Sequence, residues 1–577
     1  MRTKGMMKNW VTSAVLTIAI GVSGVSPVQA QGLAGSYLAA RQAGMTADYK
    51  TAAEYYARAL ARDPSNPALL ESAAQAQLSL GRLDRAIPIA RKLEEFGPES
   101  QIAQMILMAD DAEHERYDKL DARSNQERSV GPLVDGLVQA WAKMGQGQVS
   151  AALKIYDDVA EKRGLKGFAL YHKALALASV GDFESAEAIF AENAGTTIQV
   201  TRRGAIAHVE MLSQLDRGEE AAQMIIGLFG SDLDPVLRDM HAALVKGDSL
   251  PFTMVRSPKD GVAEVFYSVA AALSNETGQD YTLLYSRVAE YLRPDHTDAI
   301  LLSASLLDDL QRYDLAVETY KRVSRDNPAF HAAELGRAEA LRKSGRVDAA
   351  VEVLEQLAKS HGDQAIVNVT LGDLMRQLDR FEDAVAAYDA ALALHEGTDP
   401  SQWFIYYARA ICFERLGEWD RAEKDFRTAL ELNPEHPQVL NYLGYSMVEQ
   451  QVKLDEALDM IERAVAARPD SGYIVDSLGW VLFRLGRYEE AVPQMERAAE
   501  LMPVDPVVND HLGDVLWAVG RKREAEFQWR RALSFVDYED AAGEVDPDRI
   551  RQKLEIGLDA VLAAEGAAPL KVANGDK

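Results

Sequence analysis

One cysteine, Cys412, occurs in 577 residues. No internal disulfide and no cysteine metal cluster can form from it, and it reads as a small buried apolar residue. Basic residues are scarce beside acidic ones: 62 Lys and Arg stand against 89 Asp and Glu, a net charge of −27. Such a chain repels polyphosphate, which argues against a general nucleic-acid role, and it is a poor ligand for anionic membrane surfaces. The charge keeps a long helical protein soluble and favours a basic partner or the steering of cationic segments. Neither a GxxxxGK[ST] phosphate loop nor an HExxH motif occurs, and none of the ten histidines has another three or four residues away. A metal site built from a helical histidine pair is thereby excluded. Abundant carboxylates in this setting read as solvated helix faces rather than as a catalytic acid–base pair. Neither a cofactor nor a metal is expected. Strand-like alternation is nearly absent, and beyond the first 30 residues no stretch is apolar enough to span a bilayer.

The first 30 residues differ from the rest. MRTKGMMKNW supplies a positive flank, VTSAVLTIAIGVSGV a short apolar core, and SPVQAQ small residues at Val28 and Ala30. This is the pattern of an export signal cut after Ala30, and the core is too short to read as a spanning helix. An uncleaved membrane anchor is the alternative. No cysteine lies near the cut to carry a bacterial lipid anchor. Without this segment the chain holds 59 basic and 89 acidic residues, a net charge of −30.

The remainder repeats itself. GRLDRAIPIA at 81–90, DRFEDAVAAY at 379–388, GEWDRAEKDF at 417–426, GRYEEAVPQM at 486–495 and GRKREAEFQW at 520–529 share one pattern. Alanines at 52 and 86, at 316, 350 and 384, and at 457, 491 and 525 are spaced by 34 residues. A fixed period in this range marks a solenoid, which offers a long binding surface rather than a catalytic pocket. From about residue 33 to 536 apolar residues recur at helical spacing, as in Leu478, Val481, Leu482 and Leu485. Short glycine-bearing turns such as Leu485-Gly486-Arg487 follow, and second helices stop before Pro64, Pro98, Pro294, Pro328, Pro434, Pro469 and Pro503.

These residues resemble the tetratricopeptide repeat family, whose units carry small residues in both helices, an aromatic or large apolar residue between the two of the second helix, and a terminal proline. The best unit is 403–436, with Ala410, Phe413, Ala422, Phe426, Ala429 and Pro434, and the next begin near 437, 472 and 506 with Gly444, Gly479 and Gly513. The resemblance implies an all-α, right-handed superhelical solenoid of about thirteen or fourteen helical hairpins. Small residues let the helices of a hairpin approach, and Phe426, Ile461, Met495 and Trp529 fill the space between hairpins.

The expected organisation is a signal peptide at 1–30, a partly degenerate repeat array at 31–228, an irregular joint at 229–262, a middle array at 263–402, a regular array at 403–536, an acidic linker and capping helix at 537–565, and a disordered tail at 566–577. The joint holds Gly230, Pro235, Gly247, Pro251 and Pro258, and SLPFTMVRSPKDG is no helix former. An irregular repeat with a long loop is the alternative there. In the capping helix, 546–564, Ile550, Leu554, Leu558 and Val561 share one side. Family members that are enzymes carry an extra domain, and no stretch of sufficient length is left over here.

In the family, the first helix of each unit presents its second, fifth, ninth, twelfth and thirteenth positions to an inner groove, and that spacing is one face of a helix. Carried over, these positions select Phe404, Tyr407, Asn441, Tyr445, Tyr473, Asp476, Trp480, Phe483, Asp510, Asp514 and Trp517 as the partner-binding set, and also Arg415, Glu449 and Arg484 at the thirteenth position. Rings beside amides and carboxylates can hold an extended peptide, the rings taking apolar side chains and the polar groups taking backbone donors. The same mixture can stack on sugar rings, and the alternative to both is packing of the rings between adjacent helices. The face is aromatic and acidic, so the Lys/Arg/Asn carboxylate clamp of the chaperone-binding members is not implied.

The runs NYLGYSMVEQ, DSLGWVLFRLGRYEEAV and NDHLGDVLWAVGRKREAEFQWRRAL, within roughly 405–535, resemble a group of exported bacterial tetratricopeptide proteins. That group includes a lipoprotein adaptor of a periplasmic carboxyl-terminal processing protease. The resemblance implies a non-enzymatic periplasmic scaffold or adaptor whose protein partner is a protease or an envelope-assembly complex. Binding of cell-wall glycan or polysaccharide-assembly machinery is the other reading.

Overall fold

The computed structural model describes residues 33–570 apart from 97–98, 125–129, 194–196, 199–200, 231–232, 275, 396, 537–544 and 567–569. The expected signal peptide and most of the expected disordered tail lie outside the described residues. Among those described are 31 α-helices and no β-strand, and the helices follow one another as antiparallel hairpins. The solenoid expected from the 34-residue period is therefore the fold.

The local chemistry of each hairpin accounts for its boundaries. Pro67, Pro437 and Pro506 open their helices at the first turn, where a missing N–H costs nothing. Asn66 and Asp505 precede two of them and accept hydrogen bonds from the backbone N–H of Leu69 and Val508, at 3.3 and 3.0 Å. The hairpin Gly472–Arg484 and Tyr488–Leu501 turns through Gly486, whose φ is 76°. The second helices Trp419–Leu432, Leu454–Ala467 and Tyr488–Leu501 each end two residues before Pro434, Pro469 and Pro503.

Packing follows the repeat register. Ala422, Ala457, Ala491 and Ala525 are buried, as are Phe426, Ile461, Met495 and Trp529. Ile461, Met495 and Trp529 also meet the glycine of their own hairpin's first helix, Gly444, Gly479 and Gly513. A Cβ on Gly479 would lie 2.1 Å from Met495 Sδ, and one on Gly513 2.4 Å from the Trp529 indole. Glycine is needed there because interior packing leaves no room for a methyl group.

The chain divides into two compact units, 1–330 and 331–577. The division falls downstream of the 229–262 stretch expected to be the joint. That stretch holds a helix, Pro235–Lys246, followed by irregular chain up to Pro258. The physical reason for the later division lies in the next two helices, Pro258–Leu273 and Gln279–Leu292. They turn back within the first unit and pack on Pro67–Ser79, Gln101–Glu113, Pro132–Gly145 and Lys166–Ser179, the first helices of four earlier hairpins. At the closest point Gly261 lies against the Trp141 ring, where a Cβ would sit 2.2 Å away.

The capping segment is two helices rather than the single one expected. Pro547–Ile556 and Leu558–Ala564 are broken at Gly557, whose φ of 83° no continuous helix contains.

Candidate functional site

Polar chemistry fixes the returning hairpin of the first unit in place. Arg203 pairs with Glu264 at 2.7 Å and with Asp298 at 2.6 Å. Tyr171 donates to Glu264 at 2.9 Å, and the Trp141 indole N–H donates to His172, which is 3.0 Å from Ser268 Oγ. Burial works against charge on Glu264, but Arg203 and His296 overcome it and hold the carboxyl well below its usual range. Burial pushes His172 down to about 4, so it is neutral at pH 7. Further along, the guanidinium of Arg287, 4% exposed, donates to the carbonyl of Ser79 and to Glu290. The face that the first helices between 67 and 179 would offer a ligand is thus covered by the chain's own Pro258–Leu273 and Gln279–Leu292.

In the second unit the corresponding face is built by Trp403–Arg415, Pro437–Glu449, Gly472–Arg484 and Pro506–Ala518. Neighbouring first helices are joined by ring and polar contacts. Tyr407 lies edge-on to Tyr442, with centroids 6.1 Å apart, and Tyr442 donates to Glu414. Gln438 donates to the Tyr473 hydroxyl at 3.4 Å, and the Trp480 indole donates to Glu449 at 2.9 Å.

The eleven residues of the partner-binding set fall into three groups. Phe404 and Tyr473 are exposed, at 37% and 46%, and Tyr445 is half-buried. Asn441 is buried, and its Oδ1 has no hydrogen-bond partner among the described residues. These four lie on three consecutive first helices. A second group is engaged within the array. Tyr407 packs on Trp403, Phe426 and Tyr442, and Trp480 lies flat against His511 at 4.0 Å and nearly parallel to Phe483 at 5.0 Å. Asp476 is buried and accepts from His511 at 3.0 Å. Burial alone would lower the His511 pKa, but Asp476, with Asp510 and Asp514 behind it, raises it. The third group, Asp510, Asp514 and Trp517, is covered by the C-terminal helices. Lys553 donates to both carboxylates at 2.7–2.9 Å, and the Trp517 indole donates to Asp559 at 2.8 Å.

Two participants were not among the spacing-selected positions. Lys553 is fully buried while Leu554, expected on the apolar side, is half-buried. The signal was present, since Lys553 sits three residues after Ile550 on the same helical face. His511 occupies the sixth position of its helix, outside the inner set, and only its contacts with Asp476 and Trp480 reveal it. Cys412 is buried, and burial pushes its thiol up to about 11, which leaves it inert at neutral pH. Among the described residues there is no cluster of potential metal ligands and no helix long and apolar enough to cross a membrane.

Comparison with known proteins gives the following. Two tetratricopeptide repeat models match, one over residues 137–195, 301–365, 369–437, 407–472 and 449–506, the other over 40–109; together they cover more than half of the chain. A TPR repeat-containing protein of Pseudomonas aeruginosa is 29% identical over 173 residues, which is 30% of this chain and 28% of that protein. A general transcriptional corepressor of Schizosaccharomyces pombe is 27% identical over 187 residues, 30% of this chain and 16% of that protein. The matches therefore span less than a third of either relative. Among solved structures, a tetratricopeptide repeat protein of Parabacteroides merdae has a TM-score of 0.37 at 17% identity, covering 44% of this chain and 96% of that one. A chain of the APC/C hetero-tetramer Cut9-Hcn1 has a TM-score of 0.37 at 13% identity, covering 91% of this chain and 96% of that one.

Proposed function

Because this chain belongs to the tetratricopeptide repeat family, whose fold is a scaffold for binding proteins, we propose that it is an exported, non-enzymatic adaptor of the cell envelope that holds an extended segment of a protein partner across the first helices of residues 403–484. The observation that carries this reading is Asn441. An amide oxygen buried without a partner costs about 1–3 kcal/mol, and this one lies on the helix between those that carry the exposed rings of Phe404 and Tyr473. Rotated toward the surface, that oxygen would accept a peptide N–H and recover the cost while flanking apolar side chains covered the two rings. The filled face of the first unit supports placing the partner on the second.

Export rests on the N-terminal pattern, and the mature chain is expected to begin at Gln31 in the soluble periplasmic fraction. N-terminal sequencing that returned Met1, or membrane retention after a salt wash, would contradict it. The resemblance of the 405–535 region to exported repeat proteins favours a periplasmic protease or an envelope-assembly complex as partner. Photo-crosslinkers at positions 404 and 473 test the site. Both are expected to trap one protein in envelope extracts, whereas a crosslinker at the exposed Phe527, on a second helix, is not. Equal trapping from all three positions would sink the assignment, and retention of the chain on isolated cell wall would favour a glycan ligand.

A further inference from the structure

We propose that residues 546–565 are a releasable strap over the last first helix of the second unit, and that the partner exchanges with it by presenting a basic segment to Asp510 and Asp514. The proposal rests on the reading above and deepens it, because Asp510, Asp514 and Trp517 continue the proposed partner-binding face under the strap.

Three features set this segment apart from a plain end cap. An apolar stripe would suffice to close a solenoid, and Ile550, Leu558 and Val561 already supply one. The strap adds Lys553, fully buried, with its ammonium 2.7–2.9 Å from both carboxylates. A buried ion pair gains little over well-packed apolar groups, because desolvation offsets the Coulomb attraction; its use is to select register and partner charge. The Pro506–Ala518 helix is therefore built to select a cation. Second, the strap holds itself together. Arg549 pairs with Glu565 at 2.7 Å, tying its two helices to each other across the Gly557 break. Third, the break lets backbone approach the Trp517 ring, since a Cβ on Gly557 would sit 2.6 Å from it. The strap reproduces what a peptide ligand does: backbone against a ring and a cation between carboxylates.

Release by simple opening is opposed. Burial and the neighbouring Asp514 already raise the Asp510 pKa, while Lys553 works to lower it. Opening gives up all four Lys553 contacts at once and leaves two like charges side by side, with only His511 nearby to offset them, so exchange with an incoming Lys or Arg is the accessible route. A chain of net charge −27 draws such segments toward it.

Hydrogen exchange on the intact chain tests release. Amides of 546–565 are expected to exchange at least tenfold faster than those of Pro506–Ala518 and to accelerate when a synthetic 546–565 peptide is added in excess. Exchange of the strap at the rate of the helix beneath it, unchanged by the peptide, would overturn the proposal. The chemistry is tested with the same peptide, fluorescently labelled. It should bind a Lys553→Glu chain at least tenfold more tightly than the unaltered chain, and a peptide with Glu in place of its lysine should lose that binding. Binding indifferent to the peptide's lysine would also overturn it. A partner that ignored Phe404, Asn441 and Tyr473 would defeat the wider reading while leaving these exchange rates as they are.

Discussion

At the scale of single residues, the buried charges of the two units respond to pH in opposite directions. His172 is held neutral, with its pKa lowered by burial to about 4, and burial lowers His296 as well. For a group whose folded pKa lies below its unfolded value of about 6.5, the unfolded chain takes up the proton first. The contribution is complete above about pH 6.5 and is lost as pH falls toward 4, by about 3 kcal/mol for His172 at the end of that window. His511 is raised instead, by Asp476 with Asp510 and Asp514, so its contribution is complete below about pH 6.5 and is lost as pH rises through the folded value. Acidification from pH 7.5 to 5.5 should weaken protection around Trp141 and His172 and strengthen it around Trp480 and His511. Residue-resolved hydrogen exchange at the two pH values checks this, and His172→Asn and His511→Asn should each abolish the local effect. Lys553→Ala belongs to the same scale. It removes the close cation from Asp510 and Asp514, leaving Arg549 at 3.9 Å from Asp514 as the nearest guanidinium, and should destabilise the last hairpin by about 3 kcal/mol. Chemical denaturation followed by the fluorescence of Trp517 and Trp529 reads it, and an unchanged transition would contradict the pairing.

At the scale of helices, the structure turns on a few contacts where two backbones nearly touch. Ala491 is buried in the second helix of the hairpin in which Gly479 meets Met495. Ala491→Leu should cost about 1–3 kcal/mol through overpacking, and the loss should spread mainly to neighbouring hairpins, because stability in a repeat array is a sum of nearest-neighbour terms. Thermal melts of the full chain with hydrogen exchange test both points; a loss spread evenly over both units would contradict the second. These contacts were legible in the sequence because alanine, glycine and proline recur at one period, and each has a local steric role. Two other features were not legible. Helices Pro258–Leu273 and Gln279–Leu292 carry ordinary helical patterns, and nothing in their spacing says that they turn back onto earlier hairpins. What holds them there is Glu264 against Arg203 and Gly261 against Trp141, pairs 61 and 120 residues apart in sequence. The break at Gly557 was hidden because the apolar spacing on either side reads as one helix, whereas the close approach to Trp517 is a tertiary contact.

At the scale of the whole molecule, the two units divide the labour. In the first unit the first helices between 67 and 179 face the chain's own hairpin, and the buried Arg203–Glu264 pair ties that hairpin down. In residues 331–577 Phe404, Asn441 and Tyr473 are left to face outward or without a partner, and the end of the face lies under the strap. The inner positions were legible as a set from helical geometry, but which of them are free was not. Trp480 and Trp517 carry the same periodic signal as Tyr473, yet His511 and Phe483 take the first and Trp529 and Gly557 the second. Asn441→Leu, which keeps the volume and removes the unpaired acceptor, should leave the melting of the chain unchanged or slightly raised while weakening partner binding about tenfold. Calorimetric melting beside titration of the crosslinked partner separates those outcomes. Whether the partner lies across the first helices of 403–484 is read most directly from a hydrogen-exchange footprint of the full chain bound to it. Protection should appear in Trp403–Arg415, Pro437–Glu449 and Gly472–Arg484, and the first helices between 67 and 179 should stay as they are. Protection confined to 67–179, or to the second helices of 419–501, would contradict it.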